Sequence, residues 1–184
     1  SNMFKFDVEY FPVYLLSGQL IFNFFNEATT NAMGTIVANG PLIKKIYVPK
    51  YMFVLSRIFS SSINLLASFT AMIFVMLAMR VELHYTVLLA PIPLIFIVFF
   101  SLGVGLILSA ITVKFRDIMH LYSVFVTALM YLTPVIYPMS ILPEWLKKIV
   151  LLNPITNILM MFRDVMLNNM LPSIGSILLA AVET

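Results

Sequence analysis

An all-α, polytopic transmembrane helical bundle is the fold class this sequence predicts, and three observations predict it. Hydrophobic residues fill 61% of the 184 positions and charged residues 10%, with a mean hydropathy of +1.02. A soluble domain has roughly 45–50% and about 25%. The apolar residues fall in successive runs, several of about 20 residues or more, the length a hydrocarbon core requires. The charges collect in short clusters between those runs, where water can solvate them. One transmembrane domain over residues 1–184 follows. Four spans and part of a further one are expected, with a short helical hairpin on the extracellular side.

Segment 39–50, NGPLIKKIYVPK, anchors the reading. Its three lysines lie between two apolar runs and cannot stay in hydrocarbon, so it is a solvated loop or surface helix. Before it, residues 10–38 form the first run. Its polar members Gln19, Asn23, Glu27 and Asn31 recur every four residues and make one helical stripe. Such a stripe faces either a wet cavity or neighbouring helices. The second is favoured, because polar contacts between helices are common in membranes. Ser1 and Asn2 read as a scar of tag removal.

The second run, 51–79, is long enough to cross and carries Ser56, Ser60, Asn64 and Ser68 at the same spacing, a pattern expected for close helix packing. The third, 86–113, opens with Pro91 and Pro93, which predict a kinked outer end. Its Ser101, Gly105 and Ser109 let another backbone approach. Lys114 to Asp117 mark a surface turn, and a fourth run occupies 118–137. Pro134 and Pro138 stop its far end as regular helix.

Residues 141–169 change character into two short amphipathic pieces. Pro143 suits a first helical position, and Glu144 precedes Lys147 and Lys148 by three and four. Asn153-Pro154 separates the pieces. In the second, Ile155, Leu159, Phe162 and Met166 share a face with Arg163 and Asp164 beside it. Each piece would be roughly 20 Å long, too short to cross, so an interfacial hairpin is expected. The last apolar run, after Pro172, is also short of a span.

Spans alternate sides, so Lys44, Lys45, Lys50, Arg57, Lys114 and Arg116 share one face, against Lys5, Arg80, Lys147, Lys148 and Arg163 on the other. Clustering of the first set around 44–57 places it in the cytoplasm. The formal net charge of +3 suits phospholipid headgroups rather than nucleic acid. With no cysteine there is no disulfide or thiolate metal site, and no phosphate loop, GxSxG or HExxH motif occurs. No catalytic residue and no metal site are assigned. His84 and His120 fall near opposite surfaces. Tyr122, Tyr131 and Tyr137, with Trp145 beyond, form either an aromatic track for sugar rings or a headgroup belt with packing.

The order of features resembles a known family. Leu16-Ser17-Gly18 leads to Phe22-Asn23-Phe24-Phe25-Asn26-Glu27. Then come Asn39-Gly40-Pro41-Leu42-Ile43-Lys44-Lys45 with Tyr47-Val48-Pro49, Phe115-Arg116-Asp117, Thr133-Pro134-Val135-Ile136-Tyr137-Pro138, and Asn153-Pro154 with Phe162-Arg163. Together they resemble the permease subunit of ABC type-2 exporters for polysaccharide, teichoic acid and O-antigen. The resemblance implies a six-span, dimerising permease in a bacterial inner membrane, multi-pass. It would pair with two separate ATPase subunits, which hold ATP and Mg, and export a lipid-linked or polymeric glycan or polyol-phosphate.

It further implies that 41–50 is the coupling segment, through Pro41, Leu42, Lys44, Lys45, Tyr47, Pro49 and Lys50. Candidate pathway or interface residues are Gln19, Asn23, Glu27, Asn31, Tyr122 and Tyr131. Hairpin 141–169, with Pro134, Pro138, Trp145, Asn153, Pro154 and Arg163, forms the outer gate. Against that pattern the first span and most of the last are missing, and Phe22 or Phe24 stands where a tryptophan often follows the Ser-Gly pair. Two rivals are a membrane enzyme acting on lipid-linked sugars with Glu27 and His120 as proton-transfer groups, and a secondary transporter. The first would need convergent polar groups and the second inverted repeats or mid-membrane charges.

Overall fold

The computed structural model describes residues 11–45, 47–81, 85–167, 170 and 180. His84 and the run after Pro172, apart from Ala180, lie outside them. Among the described residues the regular structure is helical: α1 (Phe11–Ala38), α2 (Gly40–Ile43), α3 (Tyr51–Ala78), a 3-10 turn (Tyr85–Leu89), α4 (Pro91–Lys114), α5 (Ile118–Leu132), a 3-10 turn (Met139–Ile141), α6 (Glu144–Leu151) and α7 (Pro154–Met166).

Helix α1 is the axis of the bundle. Its 28 residues span about 42 Å, and it packs along both α3 and α4. It buries residues on most of its circumference, from Val13 and Ser17 through Phe25 and Ala28 to Met33. Helix α3 instead buries one stripe, Val54, Ile58, Ser61, Leu65, Met72 and Met76, and leaves Phe59, Ile63, Leu66, Phe74 and Leu77 exposed. Lipid is the natural solvent for that outer face.

Among the described residues only α3 and the stretch Tyr85–Lys114 are both long and apolar enough to cross a membrane unaided, and α6 with α7 could add one bent crossing. The polar stripe removes α1 from that set despite its length. The fourth run is shorter than the sequence suggests: α5 has 15 residues, about 22 Å, and ends at Leu132. Thr133 is extended, with φ −82° and ψ 133°, because Pro134 excludes the helical region for the residue before it.

In α4 the prolines do not kink a helix already under way. Pro91 sits at its first position, where a missing N–H costs nothing, and a 3-10 turn precedes it. The small series Ser101, Gly105, Ser109 is buried, with Gly105 against Ala32 of α1. On α3 the matching expectation holds only in part, since Asn64 reaches Glu27 of α1. Ser56, Ser60, Asn64 and Ser68 are all exposed, and the buried serine is Ser61, off that stripe.

Helices α6 and α7 meet at 96°. Asn153 caps α7, accepting from Ile155 N at 3.1 Å, and its Nδ2 donates to Thr133 Oγ1 at 3.0 Å. Helix α7 does not lie on the surface with one apolar face. It is buried nearly all round, from Ile155 and Thr156 to Val165 and Met166, against α1 and α4.

Candidate functional site

Three places along α1 gather the polar residues that a transmembrane bundle must account for. At the Ala38 end lies a basin of about 710 Å³ lined by Ile36, Val37, Gly40, Pro41, Ile43, Lys44, Lys45, Lys50, Val113 and Arg116. Asn39 closes α1 by donating from Nδ2 to Thr35 O at 2.8 Å, and the single turn α2 then carries the chain across. Of the described residues of segment 41–50, only Pro41, Leu42 and Ile43 are helical, and Tyr47, Val48 and Pro49 are not. Pro41, Leu42, Tyr47 and Pro49 are exposed or half-exposed at the surface. None of Lys44, Lys45, Lys50 and Arg116 has an acidic partner among the described residues. Four like charges thus converge from two loops onto one open surface beside an apolar wall.

Along its length α1 faces two grooves. One, of about 280 Å³, runs between α1 and α3 and takes Gln19, Asn23 and Glu27 from the first and Asn64 and Ser68 from the second. Glu27 Oε1 accepts from Asn64 Nδ2 at 2.8 Å and Ser61 Oγ at 3.1 Å. The stripe expected to be buried is therefore half open: Glu27 ties α1 to α3, while Asn23 and Asn31 are exposed, and Asn31 lies outside the groove lining. The other groove, about 290 Å³, lies between α1 and α5 and holds Asn26, Thr30, Tyr122, Ser123 and Thr127. Tyr122 is buried and donates to Thr29 Oγ1 at 2.7 Å.

Tyr131 takes no part in this groove. It is 70% exposed on another face of α5, so Tyr122 and Tyr131 do not make one aromatic track. Tyr137 is more than a headgroup anchor: its hydroxyl donates to Tyr131 O at 2.8 Å and closes the last turn of α5. Trp145, on α6, is exposed.

The third place is the opposite end of α1. Arg163 of α7, read from sequence as an interface charge, is 5% exposed. Its Nη1 donates to Tyr14 Oη and to Pro134 O, both at 2.7 Å. Nη2 donates to Val135 O at 3.0 Å and Tyr14 O at 3.2 Å, and Nε to Ser17 Oγ at 3.2 Å. The guanidinium carbon lies 3.6 Å from the centroid of the Tyr14 ring. Tyr14 in turn donates to Tyr137 O at 3.2 Å.

Comparison with known proteins decides what kind of chain carries these features. The sequence pattern described as "ABC-2 type transporter" matches residues 2–167. This chain belongs to the ABC-2 type transporter family. Among curated relatives of this ABC-2 chain, the O-antigen export system permease protein RfbA of Klebsiella pneumoniae is 27% identical over 165 residues, 88% of the chain. Its counterpart of the same name from Myxococcus xanthus is 27% identical over 176 residues, 94% of the chain. The chain spans 62% of the length of the Klebsiella relative and 68% of the Myxococcus one. It is thus a multi-pass integral membrane protein of the ABC-2 transporter class.

Within the ABC-2 chain two contributors escape a reading by residue type. Ser61 is off the α3 polar stripe yet holds Glu27. Gly18 lets Arg163 in: a Cβ there would stand 2.7 Å from Arg163 Nη2 and 2.9 Å from Val135 O. The Ser17-Gly18 pair, facing a proline break and an arginine far along the chain, is the signal that could have found it.

Proposed function

We propose that this chain is the permease of an ATP-driven exporter that carries a polysaccharide or lipid-linked glycan across a bacterial inner membrane. The Lys44 side faces the cytoplasm. The observation that carries the reading is the basin where Lys44, Lys45, Lys50 and Arg116 gather, without an acidic partner among the described residues, at one end of an ABC-2 bundle. Unpaired cations at a membrane surface attract an acidic partner and steer its approach. A separate ABC ATPase, holding ATP and Mg, is that partner. This chain does no hydrolysis and works with a second copy of itself.

Nucleotide-driven closure of the ATPase would push on the basin. Helix α1 ends in the lysine loop there, and about 36 Å back along it Tyr14 meets Arg163, so a rigid helix can transmit the push to the hairpin of α6 and α7. The grooves beside α1 offer amides, hydroxyls and a carboxylate, the groups that exchange hydrogen bonds with sugar hydroxyls.

The test uses the full-length protein expressed with its ATPase. Lys44→Glu with Lys45→Glu should abolish co-purification and glycan export. Retention of both by the double variant would overturn the reading, as would labelling of Lys44 from outside the cell.

A further inference from the structure

The break after α5 poses a problem that the proposed transport function does not itself address. Thr133, Pro134 and Val135 are buried, and none is helical. Non-helical backbone at membrane depth survives only where its carbonyls find partners inside the protein. Pro134 O and Val135 O are both satisfied by one side chain, Arg163, which reaches them from α7. The same guanidinium is fixed on its other side by Tyr14 and Ser17 of α1.

We infer that Arg163 is the positioning residue of the outer hairpin: a pin joining α1, the Pro134–Val135 break and α7, whose release lets the hairpin swing from the bundle. This rests on the reading of the hairpin as a gate. A planar fork with five N–H donors suits the task, because the five acceptors lie on two sides of it. Lysine carries the charge but has no fork and cannot stack on the Tyr14 ring in the same way. The pin sits at the far end of α1 from the lysine basin, where a push along the helix would arrive. Gly18 gives an independent handle. A methyl group there meets both Arg163 and the Val135 carbonyl, and so wedges the pin apart while leaving every polar group present.

The experiment uses the full-length protein with its ATPase in lipid nanodiscs, and Val135→Cys as a probe. Val135 is fully buried, and the 184 residues contain no native cysteine to compete. In the parent, maleimide labelling of the probe should be slow. Arg163→Gln, Arg163→Lys and Gly18→Ala should each speed it at least about tenfold, the effect of losing charge-assisted bonds on a local opening. ATP hydrolysis should stay within about twofold of the parent, while glycan exported per ATP falls at least about fivefold, because the ATPase side is untouched. Should Arg163→Gln fail to assemble, Gly18→Ala and Tyr14→Phe carry the test.

Unchanged labelling in assembled Gly18→Ala and Arg163→Lys complexes would overturn the role of Arg163 and leave the gate reading standing. Faster labelling with export per ATP unchanged would instead overturn the gate reading, and with it the role of the pin in transport.

Discussion

Gly105 of α4 and Ala32 of α1 stand so close that a Cβ built on the glycine would lie 2.9 Å from the alanine Cβ. This contact sets how near the two helices approach. Gly105→Ala should destabilise the bundle by about 1–3 kcal/mol through overpacking. Adding Ala32→Gly should recover much of it, since neighbouring sites couple. Gly103 has nothing within 4 Å, and Gly103→Ala should be neutral or slightly stabilising. Unfolding in mixed micelles reads all three, and equal losses at positions 103 and 105 would refute the close approach.

The Glu27 carboxylate holds Asn64 and Ser61 across the α1–α3 contact. Interhelical bonds in membranes average about 0.6 kcal/mol each, so Glu27→Ala should cost roughly 1 kcal/mol. Glu27→Gln keeps an acceptor and should cost less. If the glutamine variant loses as much as the alanine one in the same unfolding assay, charge rather than hydrogen bonding is what the site requires.

Arg116 lines the same basin as Lys44 although it comes from the turn between α4 and α5. Arg116→Glu should weaken ATPase association in the same direction as reversal at Lys44. The residual binding should lose part of its salt dependence, because exposed charges are screened. A pull-down across a salt series measures this. Normal association of the Arg116 variant beside a loss for Lys44→Glu would mean that the basin is not one surface.

Asn153 both caps α7 and reaches Thr133. Removal of an N-cap costs about 1 kcal/mol, with a further share for the lost side-chain bond. Asn153→Ala should therefore loosen the hairpin more than Asn153→Asp, which keeps the cap. Limited proteolysis between α6 and α7 would register the difference, and identical cleavage rates for the two variants would contradict it.

The sequence was most informative where the physics is local. Charge clusters cannot enter hydrocarbon, so the loops at Lys44 and Arg116 were legible as surface turns sharing one side, and the basin gathers them. Pro134 marked the end of α5 through the donor it lacks. Grouping Tyr122 and Tyr131 as one possible track overlooked their phase: nine positions at about 100° each put them on opposite faces. Arg163 was named only through the family resemblance, and its burial was not legible, because its neighbour Asp164 and an apolar stripe are equally typical of a surface helix. Its burial depends on acceptors from α1 and from the break after α5, and periodicity within one helix says nothing about distant partners. Of the polar stripe on α3 Asn64 reaches Glu27 of α1, whereas Ser56 and Ser60 stay exposed, for the same reason: spacing identifies a face, and other elements decide what meets it.

The middle position of α1 bears on how the protein is made. A 28-residue helix that carries Gln19, Asn23, Glu27 and Asn31, and that falls below the apolarity reached by α3 and α4, partitions weakly into lipid when it leaves the ribosome. Its entry is favoured by neighbouring segments that cover the stripe, α3 and α4 among them. The insertion machinery would release α1 more readily once α3 and α4 have emerged, and truncation before Lys114 should lower its stable insertion.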